Sequence, residues 1–264
     1  MTKNNYHTHT ERCKHASGSD EAFVLSAIKA GIQELGFSDH TPWNYAPSTY
    51  KGSNIRMFLD EFAGYKQSIL ALKEKYKDQI SIKLGLEVEY FPKFMDWFID
   101  FIKKEEIDYV ILGNHFHGDD EKGPYYGHVC DDDAMLELYK QDTIKALKTG
   151  IYSYLAHPDL FMRGRKHFDA FTKKISREIC EACKEMDIPL EYNLAGAEVS
   201  HITHQQQYPH PDFWQIAAEV GNKAIIGFDA HNNRQLENEY YYNQAKAHLD
   251  ALGMEVIDTI NFLR

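Results

Sequence analysis

The sequence is short of the features that would place it in a membrane or outside the cell. No apolar run approaches the roughly 20 residues needed to cross a bilayer. The opening MTKNNYHTHTERCKH holds no apolar stretch of signal-peptide length, so a cytoplasmic protein is expected. Cysteine is scarce: Cys13, Cys130, Cys180 and Cys183 are too few and too scattered for a disulfide framework in 264 residues. Cys180 and Cys183 have the spacing of a zinc knuckle or a redox pair. They lie in a segment of helical pattern without a second such pair, and read as small helix residues. Basic charge is also in deficit. With 29 Lys and Arg against 40 Asp and Glu, the formal net charge is −11. That removes the basic field on which non-specific binding to nucleic acid or anionic lipid depends, so neither partner is expected. Repeats, low-complexity tracts and Gly/Ser/Pro linkers are missing too, and residues 1–264 read as a single domain.

What is present suffices for a large core. Hydrophobic residues make up 43% and aromatic residues 13%, with 17 Tyr and 15 Phe, which excludes a disordered chain. Apolar, often β-branched runs alternate with helical patterns. Helices are expected over 21–30 (with Ser19 or Asp20 as N-cap), 55–77, 94–104, 133–149, 170–186, 212–220 and 240–252. Strands are expected over 34–37, 80–88, 109–112, 152–156, 189–192 and 224–228, with short ones near Tyr6 and Val256. Strands separated by helix-length segments imply βα units and mostly parallel pairing. Periodicity alone does not choose between an open sheet and a closed barrel.

Polar residues of one kind recur where these strands stop. His7-Thr8-His9 follows the first short segment, Asp39-His40 follows ELGFS, and Glu87 and Glu89 close IKLGLEVE. His115 and His117 follow YVILGN, His157 follows YSYLA, Glu191 and Asn193 lie in IPLEYN, and Asp229-Ala230-His231 follows AIIGF. In a parallel α/β protein the carboxyl ends of the strands share one side, where active sites form. Residues i and i+2 of an extended segment point the same way, so His7 with His9, and Asp229 with His231, can enter one cavity. Imidazoles mixed with carboxylates suit Zn²⁺, Mn²⁺ or Fe²⁺. His7, His9, His15, His40, His115, His157, His231, Glu87 and Asp229 are more donors than one tetrahedral ion uses. Two or three ions sharing a bridging carboxylate are therefore expected. A single strand-end histidine is more often bonded locally than to a metal; the coincidence of HxH, DH, DxH and AHP carries the metal reading. His167, His210 and His248 read as surface residues, while His128, His201 and His204 lie in loops that can border the site. Cys13, close to His15, reads as a neighbour of the ligands.

HTHTERCKHA, GFSDHTP, GLEVEY, GNHFHG, YLAHPD, LEYNLAG and IIGFDAH, in that order, resemble the polymerase-and-histidinol-phosphatase (PHP) family. The resemblance runs from the N-terminus to about Arg234, and each piece alone is far less specific than the ordered set. It lies nearest the monofunctional histidinol-phosphate phosphatases, since the length leaves no room for a polymerase or other appended domain. It implies an α/β fold, a distorted (β/α)₇ TIM-like barrel with the metal site at the C-terminal ends of the strands. It further implies a trinuclear centre: His7, His9, Glu87 and Asp229 on one ion, Glu87, His115 and His157 on its bridged neighbour, and His15, His40 and His231 on the third. His115-Phe116-His117 and the acidic loop at 118–121 depart from general family features, which leaves substrate contacts there open.

Chemistry follows from such ions. Water shared between two of them ionises near neutral pH, so hydroxide can attack phosphorus in line while the metals neutralise developing charge. Phosphate also suits a guanidinium, and Arg163 and Arg165 follow His157, although a solvated basic loop explains them equally. Asp229, His231 or a metal-bound water can protonate the leaving alcohol. The resemblance implies L-histidinol phosphate as the small-molecule substrate, converted to L-histidinol and phosphate in histidine biosynthesis. Its ammonium and imidazole would seek carboxylates or aromatic faces, for which Asp20, Glu89, Trp43, Phe116 and His117 are candidates. Asp20 as a helix cap and Glu89 as a support for a ligand imidazole are the plainer roles. Another phosphatase, phosphodiesterase or exonuclease on the same scaffold, or a non-catalytic metal-binding scaffold, are the alternatives; oligomeric state is open.

Overall fold

The computed structural model describes residues 3–46, 52 and 54–263. Its centre is parallel sheet. One sheet runs in the order β1 (Asn4–Asn5), β2 (Glu34–Phe37), β3 (Ser81–Val88), β4 (Tyr109–Leu112). The other runs β5 (Leu190–Asn193), β6 (Lys223–Gly227), β7 (Glu255–Ile257). All pairings between these strands are parallel. The crossovers are mostly helical: α1 (Asp20–Lys29), α2 (Phe62–Lys75), α3 (Met95–Lys104), α4 (Tyr126–Val129), α5 (Asp133–Leu147), α6 (Ala170–Glu185), α7 (Leu194–Thr203), α8 (Pro211–Val220) and α9 (Glu239–Ala251). Among the described residues no helix is long and apolar enough to cross a membrane.

Local chemistry sets these boundaries. Ser19 caps α1 by accepting from the Ala22 amide, and Asp169 caps α6 from Thr172. Helix α2 begins seven residues after the expected start at 55, because Glu61 takes the Phe58 amide at 2.6 Å and organises a short 3₁₀ turn first. Helices α4 and α7 were not expected. The second begins directly where β5 ends, with Asn193 accepting from the Gly196 amide.

The expected strand at 152–156 is reduced to one residue that joins the sheets. Leu155 bridges Leu112 on one side and Leu190 on the other, both in parallel sense. On the far edge Thr8 bridges Ala230, with His9 N donating to Ala230 O at 2.9 Å and Ala230 N to His7 O at 3.2 Å. The whole is a curled parallel α/β sheet. The pleat of β4 divides the core: Val110 and Leu112 belong to the large cluster under the helices, while Tyr109 and Ile111 join a smaller one with Tyr6, Tyr154 and Ile225. All four residues of β4 are buried, and full burial of such side chains contributes about 1.5–3 kcal/mol each. Cys180 and Cys183 pack in the large cluster from α6, where burial pushes both thiols up; they are core residues.

Candidate metal centre and adjoining cavity

The curl brings the strand ends of both sheets together. His7 and His9 extend beyond β1, His40 follows β2, Glu87 lies at the end of β3, His115 follows β4, His157 follows Leu155, and Asp229 and His231 follow β6. Two of these hold left-handed backbone, His157 at φ 30° and Asp229 at φ 50°. For side chains other than glycine that conformation costs of order 1–3 kcal/mol, which tertiary packing must offset.

Glu87 stands at the middle, 1% exposed. Its Oε1 lies 2.8 Å from His157 Nε2 and 3.4 Å from His115 Nε2. Its Oε2 faces the other way, 3.0 Å from His40 Nδ1, 3.5 Å from His9 Nε2 and 3.6 Å from His7 Nε2. Asp229 Oδ1 lies 3.3 Å from His7 Nε2, 3.2 Å from His9 Nε2 and 3.4 Å from His231 Nδ1. Gly113 makes room: a Cβ there would meet Glu87 Oε1 at 2.2 Å.

The residues fit divalent ions on their own chemistry. His7 Nε2, His40 Nδ1 and Asp229 Oδ1 are buried without a hydrogen-bond partner, and an orphaned buried polar group costs about 1–3 kcal/mol. Several compact groups of donors could hold an ion, among them His7, His9 and Asp229; His7, Glu87 and His157; His9, His40 and Glu87; and His40, Glu89 and His115. His15 and His231 face each other, with Nε2 atoms 2.8 Å apart. His40 lies closer to Glu87 than to His15, whose ring centroid is 5.7 Å away, so His15, His40 and His231 form no compact group among the described residues. Cys13 falls within reach of His9 and His231.

Burial and mutual charge tune these groups. Burial opposes the charges of Glu87 and Asp229, but the surrounding histidines outweigh it and hold both carboxyls well below the usual range. Burial also opposes protonation of His7 and His9, yet the carboxylates raise both well above an ordinary histidine. For His40 burial prevails and lowers the imidazole. His231 falls to about 3, through burial and then the charge of His9. Neutral imidazole is the form that binds metal.

Partners behind these side chains fix their orientation. Glu191 Oε1 accepts from His7 Nδ1 at 2.8 Å, and its Oε2 takes the His157 amide at 3.0 Å. Asn193 Nδ2 donates to Asp229 Oδ2 at 3.1 Å. Glu89 Oε1 lies 3.3 Å from His115 Nδ1, and burial is outweighed by Arg56 and then His115, so its carboxyl sits at about 2. The strand-end positions of Glu191 and Asn193 were visible in the sequence, but nothing there revealed which imidazole each supports.

A cavity of about 610 Å³ opens beside the cluster, lined by eight of its donors and by Phe116, Tyr125, His128, Arg163, Val199 and Tyr208. Arg163 donates to the Tyr125 hydroxyl at 2.9 Å and lies 5.7 Å from its ring centre. Other substrate candidates from the sequence stand elsewhere. Arg165 is buried against Asp133, Asp169 and backbone carbonyls, so it braces the 163–169 segment. His117 turns away to Asp142 at 2.7 Å. Asp20 pairs with Arg12 at 2.9 Å, and Trp43 Nε1 donates to Glu89 at 3.1 Å. His201 stacks on Tyr240, while His204 closes α7. His210 and His248 are not bare surface groups: the first caps α8 and stacks on Phe168, the second meets Tyr192. Tyr125 and Tyr208 line the cavity without any signal in the sequence that marks them.

A curled parallel sheet with a buried histidine and carboxylate cluster at its strand ends defines an α/β protein with a candidate metal centre. The chain belongs to the PHP domain family, whose model matches residues 5–195. It is 26% identical over 232 residues to a probable histidinol-phosphatase of Deinococcus radiodurans, covering 85% of each chain. It is 28% identical over 203 residues to the histidinol-phosphatase of Lactococcus lactis, covering 73% of this chain and 72% of that one. Among solved structures it resembles a histidinol phosphate phosphatase from Lactococcus lactis complexed with zinc, L-histidinol and phosphate. The TM-score is 0.75 at 23% identity, covering 100% of this chain and 99% of that one, a likeness of fold.

Proposed function

We propose that this protein is a metal-dependent phosphomonoester hydrolase that converts L-histidinol phosphate and water into L-histidinol and phosphate. The observation that carries the reading is the division of Glu87, one oxygen toward His115 and His157 and the other toward His7, His9 and His40, beside a cavity with Arg163 on its wall. The curated relatives bear that activity in their names, and the similar structure holds zinc with L-histidinol and phosphate. In this reading the chain is one domain and the curled sheet a distorted seven-stranded barrel, supported by the bridges at Leu155 and between Thr8 and Ala230. A cytoplasmic location accords with four free, buried cysteines.

His7, His9, Glu87 and Asp229 would hold one ion and Glu87, His115 and His157 a second; a third on His15, His40 and His231 would require His40 to turn from Glu87 toward the facing pair His15 and His231. Zinc, manganese or iron in these positions would supply Lewis acidity and a nucleophilic water at neutral pH. Arg163 offers its guanidinium to the phosphate oxygens and is steadied by Tyr125. Phe116, Tyr125 and Tyr208 give apolar faces to the imidazole end and exclude water there. Asp229 and His231 both line the cavity and are the chain's groups for passing a proton to the departing alcohol.

The test is phosphate release by metal-analysed protein from L-histidinol phosphate, beside sugar, nucleotide and aryl phosphates. A strong preference for histidinol phosphate that chelation abolishes is expected. Equal, weak turnover of the whole panel would refute the substrate, and chelator-resistant activity would refute the metal requirement.

A further inference from the structure

Arg56 is 1% exposed, and the scheme above gives it no role. A buried guanidinium persists only where acceptors take its charge and its N–H groups. Here they come from three directions. Nε donates to Asp120 at 2.7 Å, NH1 to the Thr41 carbonyl at 2.9 Å and to Glu89 Oε2 at 3.1 Å, and NH2 to Glu89 Oε1 at 2.8 Å. The fork therefore grips both oxygens of Glu89, which lies two residues beyond Glu87.

The two carboxylates lead to different parts of the site. Glu89 Oε1 also takes His115 Nδ1 at 3.3 Å, which leaves His115 Nε2 turned to Glu87. Asp120 lies in the turn between Phe116 and Tyr125, which pair across an isolated antiparallel bridge and both line the cavity. Tyr45 holds the same carboxylate through its hydroxyl. Ile55, next to Arg56 in the chain, lines that cavity as well.

We infer that Arg56 is a positioning residue that ties the ion site to the substrate wall. Through Glu89 it holds the His115 imidazole with Nε2 inward, and through Asp120 it holds the turn that presents Phe116 and Tyr125. The inference rests on the reading of His115 as an ion ligand. It differs from a plain structural ion pair in what it couples. Loss of the Glu89 arm acts on ion affinity, whereas loss of the Asp120 arm acts on substrate affinity alone.

The experiment is a zinc titration of chelator-stripped protein against a competing indicator, with ions per chain counted at fixed free zinc. The charge-balanced double variant Arg56→Met/Glu89→Gln is expected to fold, by circular dichroism and melting in chelator, and to lose roughly ten- to a hundredfold in zinc affinity at one site. Arg56→Lys should lose affinity too, because one ammonium cannot span both carboxylates as the planar fork does. Asp120→Asn should keep wild-type zinc affinity and raise KM severalfold at unchanged kcat, for whichever phosphate ester the wild type hydrolyses. Wild-type zinc affinity in the double variant or in Arg56→Lys overturns the inference, and an unaltered KM in Asp120→Asn overturns its second arm. If the double variant does not fold, Arg56→Lys decides. Zinc binding is read without any ester, so a wild-type protein that spares histidinol phosphate sinks the substrate reading and leaves this test standing.

Discussion

Glu191 and His7 meet at 2.8 Å, both fully buried, and the contact decides which nitrogen of His7 faces the cluster. With Nδ1 committed to Glu191, Nε2 is left pointing at Asp229 and Glu87. A Cβ on Gly227 would meet Glu191 Oε1 at 1.8 Å, so β6 must carry glycine for the carboxylate to lie there. Glu191→Ala is expected to lower zinc affinity roughly ten- to a hundredfold although Glu191 touches no ion. A competition titration matching wild type would retire this role.

Glu87 is the residue on which most of the donors converge. Glu87→Ala should abolish turnover and lower the ion content of the purified protein, as read by elemental analysis. Gly113→Ala offers a subtler version, since the added methyl collides with the Glu87 carboxylate and alters no donor. It should also lose ions while melting near wild type in chelator. Full ion content in both variants would dismantle the proposed bridging arrangement.

Arg163→Ala removes a charged donor from the cavity wall and touches none of the proposed ligands. Hydrogen bonds to charged groups are worth about 1.5–3 kcal/mol, so kcat/KM for phosphomonoesters should drop roughly ten- to a hundredfold. Ion content should stay at the wild-type level. Tyr125→Phe, which removes only the hydroxyl that steadies Arg163, should cost less. Steady-state kinetics that do not change in Arg163→Ala would exclude it from phosphate binding.

Ion binding should be linked to protons. His7 and His9 are both raised well above the ordinary histidine value of about 6.5, so each holds its proton more tightly in the ion-free protein and must release it to become a ligand. Zinc affinity should therefore keep climbing as pH rises past about 6.5. Calorimetry in buffers of different ionisation enthalpy should report net proton release near neutrality; its absence would contradict the assignment of the pair.

A second pH effect lies at the start of α8. His210 Nδ1 accepts the Asp212 amide at 3.3 Å to cap α8, which only the unprotonated nitrogen can do. Burial lowers this imidazole, with Asp212 pulling the other way. A depressed folded-state value means the contribution is complete above about 6.5 and lost as pH falls through the folded value. A cap is worth about 1 kcal/mol, and His210→Asn should keep it at all pH values. Denaturant melts of the two proteins at pH 5 and pH 7.5 should thus differ in slope with pH; parallel curves would count against it.

Much of this was written in the chain. β4 is legible because YVIL is buried on both faces and bounded by polar residues, and α3 because Met95, Phe98 and Ile102 recur at helical spacing. Eight of the nine expected donors are brought to one end of the sheet because they follow its strands, and His15 joins them from the loop after Cys13, facing His231. The finer arrangement was not legible. Residues 152–156 hydrogen-bond along β4, from Ser153 N to Val110 O and from Ala156 N to Leu112 O, yet Leu155 alone forms bridges, one to each sheet. Helix α7 was hidden because LEYN passes from strand to helix with no intervening turn residue. Arg165, His117, Asp20 and Trp43 looked available for substrate because sequence does not show which charged neighbour claims a side chain. Tyr125 and Tyr208 are two aromatics among many until tertiary contacts aim them.

The pairing of Thr8 with Ala230 has a temporal side. It joins the beginning of the donor set to its last members, Asp229 and His231, which lie beyond the stretch matched by the family model. During synthesis His7 and His9 emerge well before Asp229 and His231. A ribosome-bound precursor ending before β6 would lack Asp229 and His231, so the proposed ion position on His7, His9, Glu87 and Asp229 would be completed only with the closing segments of the fold.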